Sequence, residues 1–527
     1  MFTPHPDRVI FFMLLSSFLT LYPSLLLANA AASDLPSWCK LTPHPQQCQT
    51  YALGHGSSPF PPIKGKADFF KVAMHTALSS AVTATKNAYS LSPKVGRDPR
   101  EKVAWDDCLE VYKLALEHLN KTINPTSTCN QEDAQTWLSA ALTYFENCEE
   151  GFSDLGLTES PILPLVANGD VSCLISNALA INKDGGAGFP YYKNQMHRGW
   201  PSWLHPGDRK LLQVGATPNL VVAKDGTGNY ETISAAVAAA GKRSGSGRFV
   251  IHVKAGTYKE QVNVGSKNIM LLGDGIGKTI ITGSKSVDGG STTFKSATVG
   301  VTGDGFIAQG ITFRNTAGPS KHQAVAFRSG SDLSVLYQCS FEAYQDTLYV
   351  YSNRQFYRNC NIYGTVDFIF GNAAVVIQSC DIFARFPPAG TNTITAQGRT
   401  DPNQNTGIVV QNCKVAPAAD LVGKSGVKTY LGRPWKEYSR TIFMESVLGS
   451  LINPLGWMPW NGNFALNTLY YAEYKNTGPG SSTANRVEWK GYHVITNPTV
   501  ASQFTVKSFI VGESWLPATK VPFVAGL

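Results

Sequence analysis

After residue 27 the 527-residue chain contains no run of 18 uninterrupted apolar residues, so no membrane-spanning helix is indicated beyond the N-terminal segment. Charge is sparse: 16% of residues are Asp, Glu, Lys or Arg and 43% are apolar, the balance of a folded chain rather than a disordered one. There is no basic run and no RNA-binding signature, so nucleic acid is not the expected partner. The chain up to Asn182 lacks His and carboxylates at metal-ligand spacing, and no cluster of acidic calcium ligands occurs, so no metal and no cofactor is indicated.

What is present divides the chain into two units, as its length requires. Arg8 precedes an apolar run from Val9 to Leu27, and Ala28-Asn29-Ala30 supplies a small-x-small cleavage pattern, so residues 1–30 read as a signal peptide. The run approaches bilayer length, which makes an uncleaved anchor the rival reading; Pro23 and the scattered serines weaken it. Ten cysteines agree with an oxidising destination, six before residue 212 and four after it. Residues 213–527 hold 28 Lys and Arg against 18 Asp and Glu, which draws this half to polyanions. In an exported protein an acidic polysaccharide is the expected one. Asn120-Lys121-Thr122 is a glycosylation sequon.

From Ser33 to Asn182 four segments place apolar residues three and four apart, beginning at Ala67, Glu101, Gln131 and Ile162, and predict a bundle of four antiparallel helices. Residues 184–212 are rich in Gly, Pro and aromatics without periodicity, and read as a linker carrying a dibasic processing site at Arg209-Lys210. From Asn219 the pattern changes to short strands. One strand and one helix would cap the open end of a solenoid, Gly, Asn or Asp would close every coil, and the last 60 or so residues would lose the period and fold back.

The repeat is clearest from Cys339 to Gly371. Cys339, Phe341 and Asp346 recur 21 residues later as Cys360, Ile362 and Asp367, and the unit echoes at Cys380 with Ile382 and at Cys413 with Val415. Such a period is that of stacked β-coils, which sets Asp346 and Asp367 about 4.8 Å apart on neighbouring strands. Cys339 and Cys360 come equally close, so they are disulfide candidates, with Cys380 and Cys413 continuing the series. Two carboxylates at that spacing cannot both ionise freely; one holds a proton and the other a charge. Gln345 and Gln323 bring neutral amide donors suited to a developing oxyanion. Arg433, followed by Pro434 and Trp435, offers a guanidinium to orient a carboxylate beside an indole on which a sugar ring can pack.

Gly256–Glu260 (GTYKE), Gln323–Arg328 (QAVAFR), Gln345–Leu348 (QDTL), Asp367–Gly371 (DFIFG) and Leu431–Trp435 (LGRPW) resemble, in order, the five signature segments of plant pectin methylesterases. The likeness covers residues 213–527, and residues 31–183 resemble the inhibitors of those enzymes. It implies an all-β catalytic domain, a right-handed parallel β-helix, behind an all-α four-helix-bundle pro domain. It also implies hydrolysis of the C6 methyl ester of homogalacturonan in the cell wall, with no metal or cofactor. Asp367 would be the nucleophile, Asp346 the acid and then the base, Gln323 and Gln345 the oxyanion donors, and Arg433 the group orienting Asp367. Trp435 and Thr293 would join Arg433 and Gln323 in holding substrate. Disulfides would pair Cys39 with Cys48 and Cys108 with Cys148, Cys173 would stay unpaired, and Cys129 is left open. The implied partners are methyl-esterified homogalacturonan, inhibitor proteins and a processing protease, and the chain would be a monomer. Two other readings compete: another β-helix enzyme of pectin, a glycosidase or lyase, and an inhibitor that acts through the helical half. The two amide donors speak against the glycosidase and lyase, because an oxocarbenium-like transition state has no use for them.

Overall fold

The computed structural model describes residues 37–53, 63, 65–92, 98–124, 129–167, 169–185, 196–197, 200–201 and 217–527. The signal segment 1–30 and Arg209-Lys210 lie outside them. The helical part is built on α1 (Lys66–Ser90), α2 (Pro99–Ile123), α3 (Gln131–Asp154) and α4 (Gly169–Lys183). Asp98 caps α2 by accepting from the Arg100 N–H, with Pro99 in the first turn where its missing N–H costs nothing. Asn130 and Asp133 form a capping box on α3. The fourth predicted segment is broken: a short helix, Leu163–Val166, stops where Ala167 turns to extended backbone, and α4 starts afresh at Gly169.

Disulfides join Cys39 to Cys48 and Cys108 to Cys148, the second tying α2 to α3, while Cys129 and Cys173 both remain thiols. The helices bury one shared core, including Tyr112, Leu138, Phe145 and Phe152.

Residues 217–527 wind into a parallel β-helix with three sheets of eleven, eight and seven strands. Phe327 pairs with Leu348, and Leu348 with Ile369, each step matching the period of the sequence repeat. Farther along the step lengthens to 33, as in Ile382 opposite Val415, where residues 385–390 and 398–406 widen the coil. Inside, Phe313 stacks on Phe341 at 5.5 Å and the column runs on through Ile362, Ile382 and Val415. At one corner of successive coils Gly310, Gln338, Asn359, Ser379, Asn412, Glu445 and Lys475 are all left-handed. Gln338, Ser379, Glu445 and Lys475 depart from the Gly, Asn or Asp expected at every corner. The N–H groups of Gln338, Ser379 and Glu445 bond the carbonyls of Arg358, Gln411 and Tyr474 on the next coil. The stack therefore imposes the geometry and offsets a cost of about 1–2 kcal/mol per residue.

The cysteine column corrects a sequence expectation. Cys339, Cys360, Cys380 and Cys413 do lie one above another, but all four are buried thiols. In-register side chains on parallel strands stay about 4.7–4.9 Å apart, whereas a disulfide wants its Cβ atoms about 3.8 Å apart. Each sulfur is instead used by the backbone. The Cys360 and Cys380 N–H groups donate to the sulfurs of Cys380 and Cys413, both at 3.3 Å, and the Cys360 thiol donates to the Leu336 carbonyl. Thiol titration of residues 217–527 without reductant will accordingly find these four thiols in denaturant and none in the native state. A count of two or fewer in denaturant would mean that bridges form after all.

Both ends of the solenoid are covered. The helix Ile233–Gly241 buries Ile233, Ala236 and Ala240 on the first coils. At the other end the period persists longer than expected, because Tyr470–Tyr474 and Tyr492–Val494 extend the eleven-stranded sheet. The short helices from Pro498 to Thr519 pack Phe504, Val506, Trp515 and Leu516 against that sheet's outer face.

Candidate active site

Leu348 pairs with Ile369 and Tyr349 with Phe370, so Asp346 and Asp367, two residues ahead of these strands, occupy the same corner of adjacent coils. Both are left-handed, with φ of 62° and 52°, a conformation that aspartate tolerates better than most residues. The ladder holds them there: the Asp346 N–H donates to the Val366 carbonyl at 3.1 Å and the Asp367 N–H to Thr393 Oγ1 at 2.9 Å. Little of either residue meets solvent, 7% of Asp346 and 5% of Asp367.

Their surroundings differ sharply. Asp367 Oδ1 accepts from the Thr393 hydroxyl at 2.6 Å and from Arg433 Nε at 2.8 Å, and its Oδ2 accepts from Arg433 Nη2 at 2.6 Å. This is a bidentate, charge-assisted pair. Burial works against the charge on Arg433, yet the Asp367 carboxylate holds the guanidinium above its ordinary pKa. Asp346 is pushed well above the usual carboxylate range, first by burial, then by the charges of Asp367 and Asp154, with Arg433 opposing. One aspartate is thus clamped by a guanidinium, while its neighbour is set up to hold a proton.

A cavity of about 710 Å³ opens over the pair. Gln323 and Gln345 line it from neighbouring coils, fixed by the bond from the Ala324 N–H to the Gln345 carbonyl. One wall is aromatic: Tyr349 stacks on Phe370 at 4.1 Å and Trp435 meets Phe370 edge-on at 5.9 Å. Thr293 also lines the cavity, its N–H donating to Asp154 Oδ2 at 2.8 Å. Every catalytic and substrate-binding candidate from the sequence, Asp346, Asp367, Gln323, Gln345, Arg433, Trp435 and Thr293, therefore borders one space.

Other contributors went unread. Thr393 stands 26 residues after Asp367, on a coil already longer than the repeat that carries the two aspartates. The Arg433 guanidinium lies 4.2 Å over the ring of Trp460, a residue assigned by sequence only to the segment that folds back.

The opposite wall comes from the helical part. Glu146, Asn147, Glu150 and Asp154 of α3 face into the cavity. Glu150 pairs with Lys436 Nζ at 2.7 Å, Glu146 accepts from the Thr400 hydroxyl at 3.0 Å, and Asn147 accepts from the Tyr349 hydroxyl at 3.3 Å. From α2, Asp107 accepts from the Thr292 hydroxyl and Glu110 pairs with Lys295. Farther along α3, Arg354 bridges Asp133 at 2.8 Å and Asp332 at 2.7 Å. Burial pushes three of these carboxyls up, Asp107 to about 7, Glu146 to about 8 and Asp154 to about 6.

Residues 219–513 match the pectinesterase family model, and residues 33–181 match the model described as plant invertase/pectin methylesterase inhibitor. The chain is 60% identical over 495 residues to pectinesterase 2 of Citrus sinensis, covering 94% of this chain and 95% of the relative. It is 58% identical over 498 residues to the probable pectinesterase/pectinesterase inhibitor 17 of Arabidopsis thaliana, 94% of each chain being covered. Among solved structures, pectin methylesterase from carrot superposes with a TM-score of 0.58 at 61% identity, covering 59% of this chain and 98% of its own. That share equals the length of residues 217–527, so the carrot chain is about as long as the β-helix part alone. With a family model matching more than half of its length and curated relatives matching nearly all of it, the chain belongs to the pectinesterase family.

Proposed function

We propose that this pectinesterase removes methyl esters from homogalacturonan with Asp367 as nucleophile and Asp346 as proton carrier. The observation that supports it is the unequal treatment of two adjacent aspartates, one clamped by Arg433 and Thr393, the other buried with a raised pKa. The Asp367 carboxylate attacks the ester carbonyl and forms a tetrahedral intermediate whose oxyanion the Gln323 and Gln345 amides receive. Each such donor contributes on the order of 10²–10³ in rate. Collapse breaks the bond to methoxide, which takes the proton of Asp346 and leaves as methanol. Asp346, now a carboxylate, removes a proton from water as it attacks the acyl-enzyme. The bond to Asp367 breaks, releasing a free carboxyl group on the sugar and restoring both aspartates.

The helical part, within 31–183, acts as an autoinhibitory pro domain: α3 forms a wall of the cleft where pectin would lie. Residues 1–30 direct export to the cell wall, and a processing protease cutting at Arg209-Lys210 in the linker 184–212 frees the catalytic domain, 213–527. Free inhibitor proteins of the same helical type would then compete for the emptied cleft. A glycan would project from Asn120, which is exposed in the last turn of α2.

Residues 213–527 are expected to release methanol from methyl-esterified pectin without shortening it. Chain shortening with no methanol would point to a glycosidase or lyase instead.

A further inference from the structure

Helix α3 carries carboxylates at 146, 150 and 154, one stripe at spacing i, i+4, i+8, and this stripe faces the enzyme rather than solvent. Such a stripe is usually a solvated face. Here each member meets a group on the β-helix: Glu146 the Thr400 hydroxyl, Glu150 the Lys436 ammonium, Asp154 the Thr293 N–H. Glu110 on α2 repeats the pattern with Lys295, to which Asp107 also comes within 3.8 Å.

Lys436 sits beside Trp435, its ammonium 5.2 Å from the indole, and lines the cavity that holds both aspartates. The carboxylates that hold its proton are Glu150, Glu146 and Glu149, all on α3. Lys295 follows Thr293 and Phe294, which line the same cavity. Removal of the helical domain therefore leaves two ammonium groups at the edges of the cleft stripped of these partners. A polyuronate whose ester lies at Asp367 presents carboxylates on its neighbouring sugars wherever they are already free.

We propose that Lys436 and Lys295 are specificity-determining residues that bind free carboxylates of uronate units flanking the ester under attack, and that the helical domain blocks the cleft by placing Glu150 and Glu110 in those positions. The inference rests on the esterase reading above. It makes the inhibitory helices a mimic of a partly de-esterified substrate, and it sets the preference of the freed enzyme toward esters with free carboxylates beside them.

The test compares kcat/KM for methanol release by residues 217–527 on two pectins, one fully methyl-esterified and one partly de-esterified. In Lys436→Gln the ratio of the second value to the first is expected to fall about tenfold, the worth of one charge-assisted contact. Lys436→Arg is expected to restore most of it, and Lys295→Gln to lower the ratio independently. A ratio unchanged in both Gln variants, whether or not overall activity falls, overturns the proposal, because a merely structural lysine affects both substrates alike. A parent enzyme that releases no methanol from either pectin would sink the esterase reading instead.

Discussion

Asp367→Ala in residues 217–527 lowers kcat for methanol release by about 10⁴-fold or more, the scale on which enzymes lose activity with their nucleophile. KM for pectin changes little, because the aromatic wall of Tyr349, Phe370 and Trp435 and the two amides remain. Asp346→Ala falls by about 10²–10⁴-fold, the range for a lost general acid-base group, since departing methoxide and attacking water then find only solvent as proton partner. The two variants differ in another respect. Removing Asp346 relieves Asp367 of a buried neighbour, whereas removing Asp367 strands Arg433, so Asp367→Ala also lowers thermal stability and Asp346→Ala does not. A stopped assay for methanol and a thermal melt on each variant check both statements.

The second large effect concerns pH. In the docked chain burial raises Asp107 to about 7, Glu146 to about 8 and Asp154 to about 6, whereas an undocked, solvated carboxyl titrates near 4. A group whose pKa is raised on docking favours the docked state most fully below the undocked value, and that contribution is lost as pH climbs through the docked one. Docking should therefore be tightest below about pH 4 and loosen progressively between about 4 and 8. Glu110, held below its ordinary value, and Lys436, held above, act outside this window. Every carboxyl that must stay protonated to dock weakens docking up to about tenfold for each step of one in pH, so the effective grip of the helices falls by on the order of 10²-fold or more across the window. The full chain, measured against residues 217–527 at each pH, is expected to be nearly silent at pH 5.5 and to recover above pH 8. The double variant Asp107→Asn, Glu146→Gln mimics the protonated carboxyls and keeps the chain silent at pH 8.5. A full chain equally active at both pH values would contradict the assignment.

Much of this architecture can be read in the chain before any coordinates. The repeat runs without insertion over the two coils that carry Asp346 and Asp367, so simple counting makes them neighbours. Arg433 is different: 66 residues beyond Asp367, it stands two coils on because the loops 385–390, 398–406 and 418–427 lengthen those coils, and no spacing argument finds it. The likeness of its LGRPW segment to a known signature does. Thr393 is hidden for the same reason. The cysteine column misled because equal spacing gives proximity but not direction; parallel strands keep Cys339 and Cys360 side by side with their sulfurs turned to the backbone. The acidic stripe of α3 was invisible as a contact surface because Glu146, Glu150 and Asp154 read, on helical spacing alone, as a face turned to water. Only the docked structure shows that Lys436 and Thr293 receive them.

The covalent role of Asp367 can be observed rather than inferred. Residues 217–527, mixed with a short methyl-esterified oligogalacturonate and quenched in acid during turnover, are digested and weighed by mass spectrometry. The peptide holding Asp367 should carry the oligosaccharide acyl group, and Asp367→Ala should abolish the adduct together with methanol release. An adduct on any other residue, or methanol release that survives in Asp367→Ala, would contradict it.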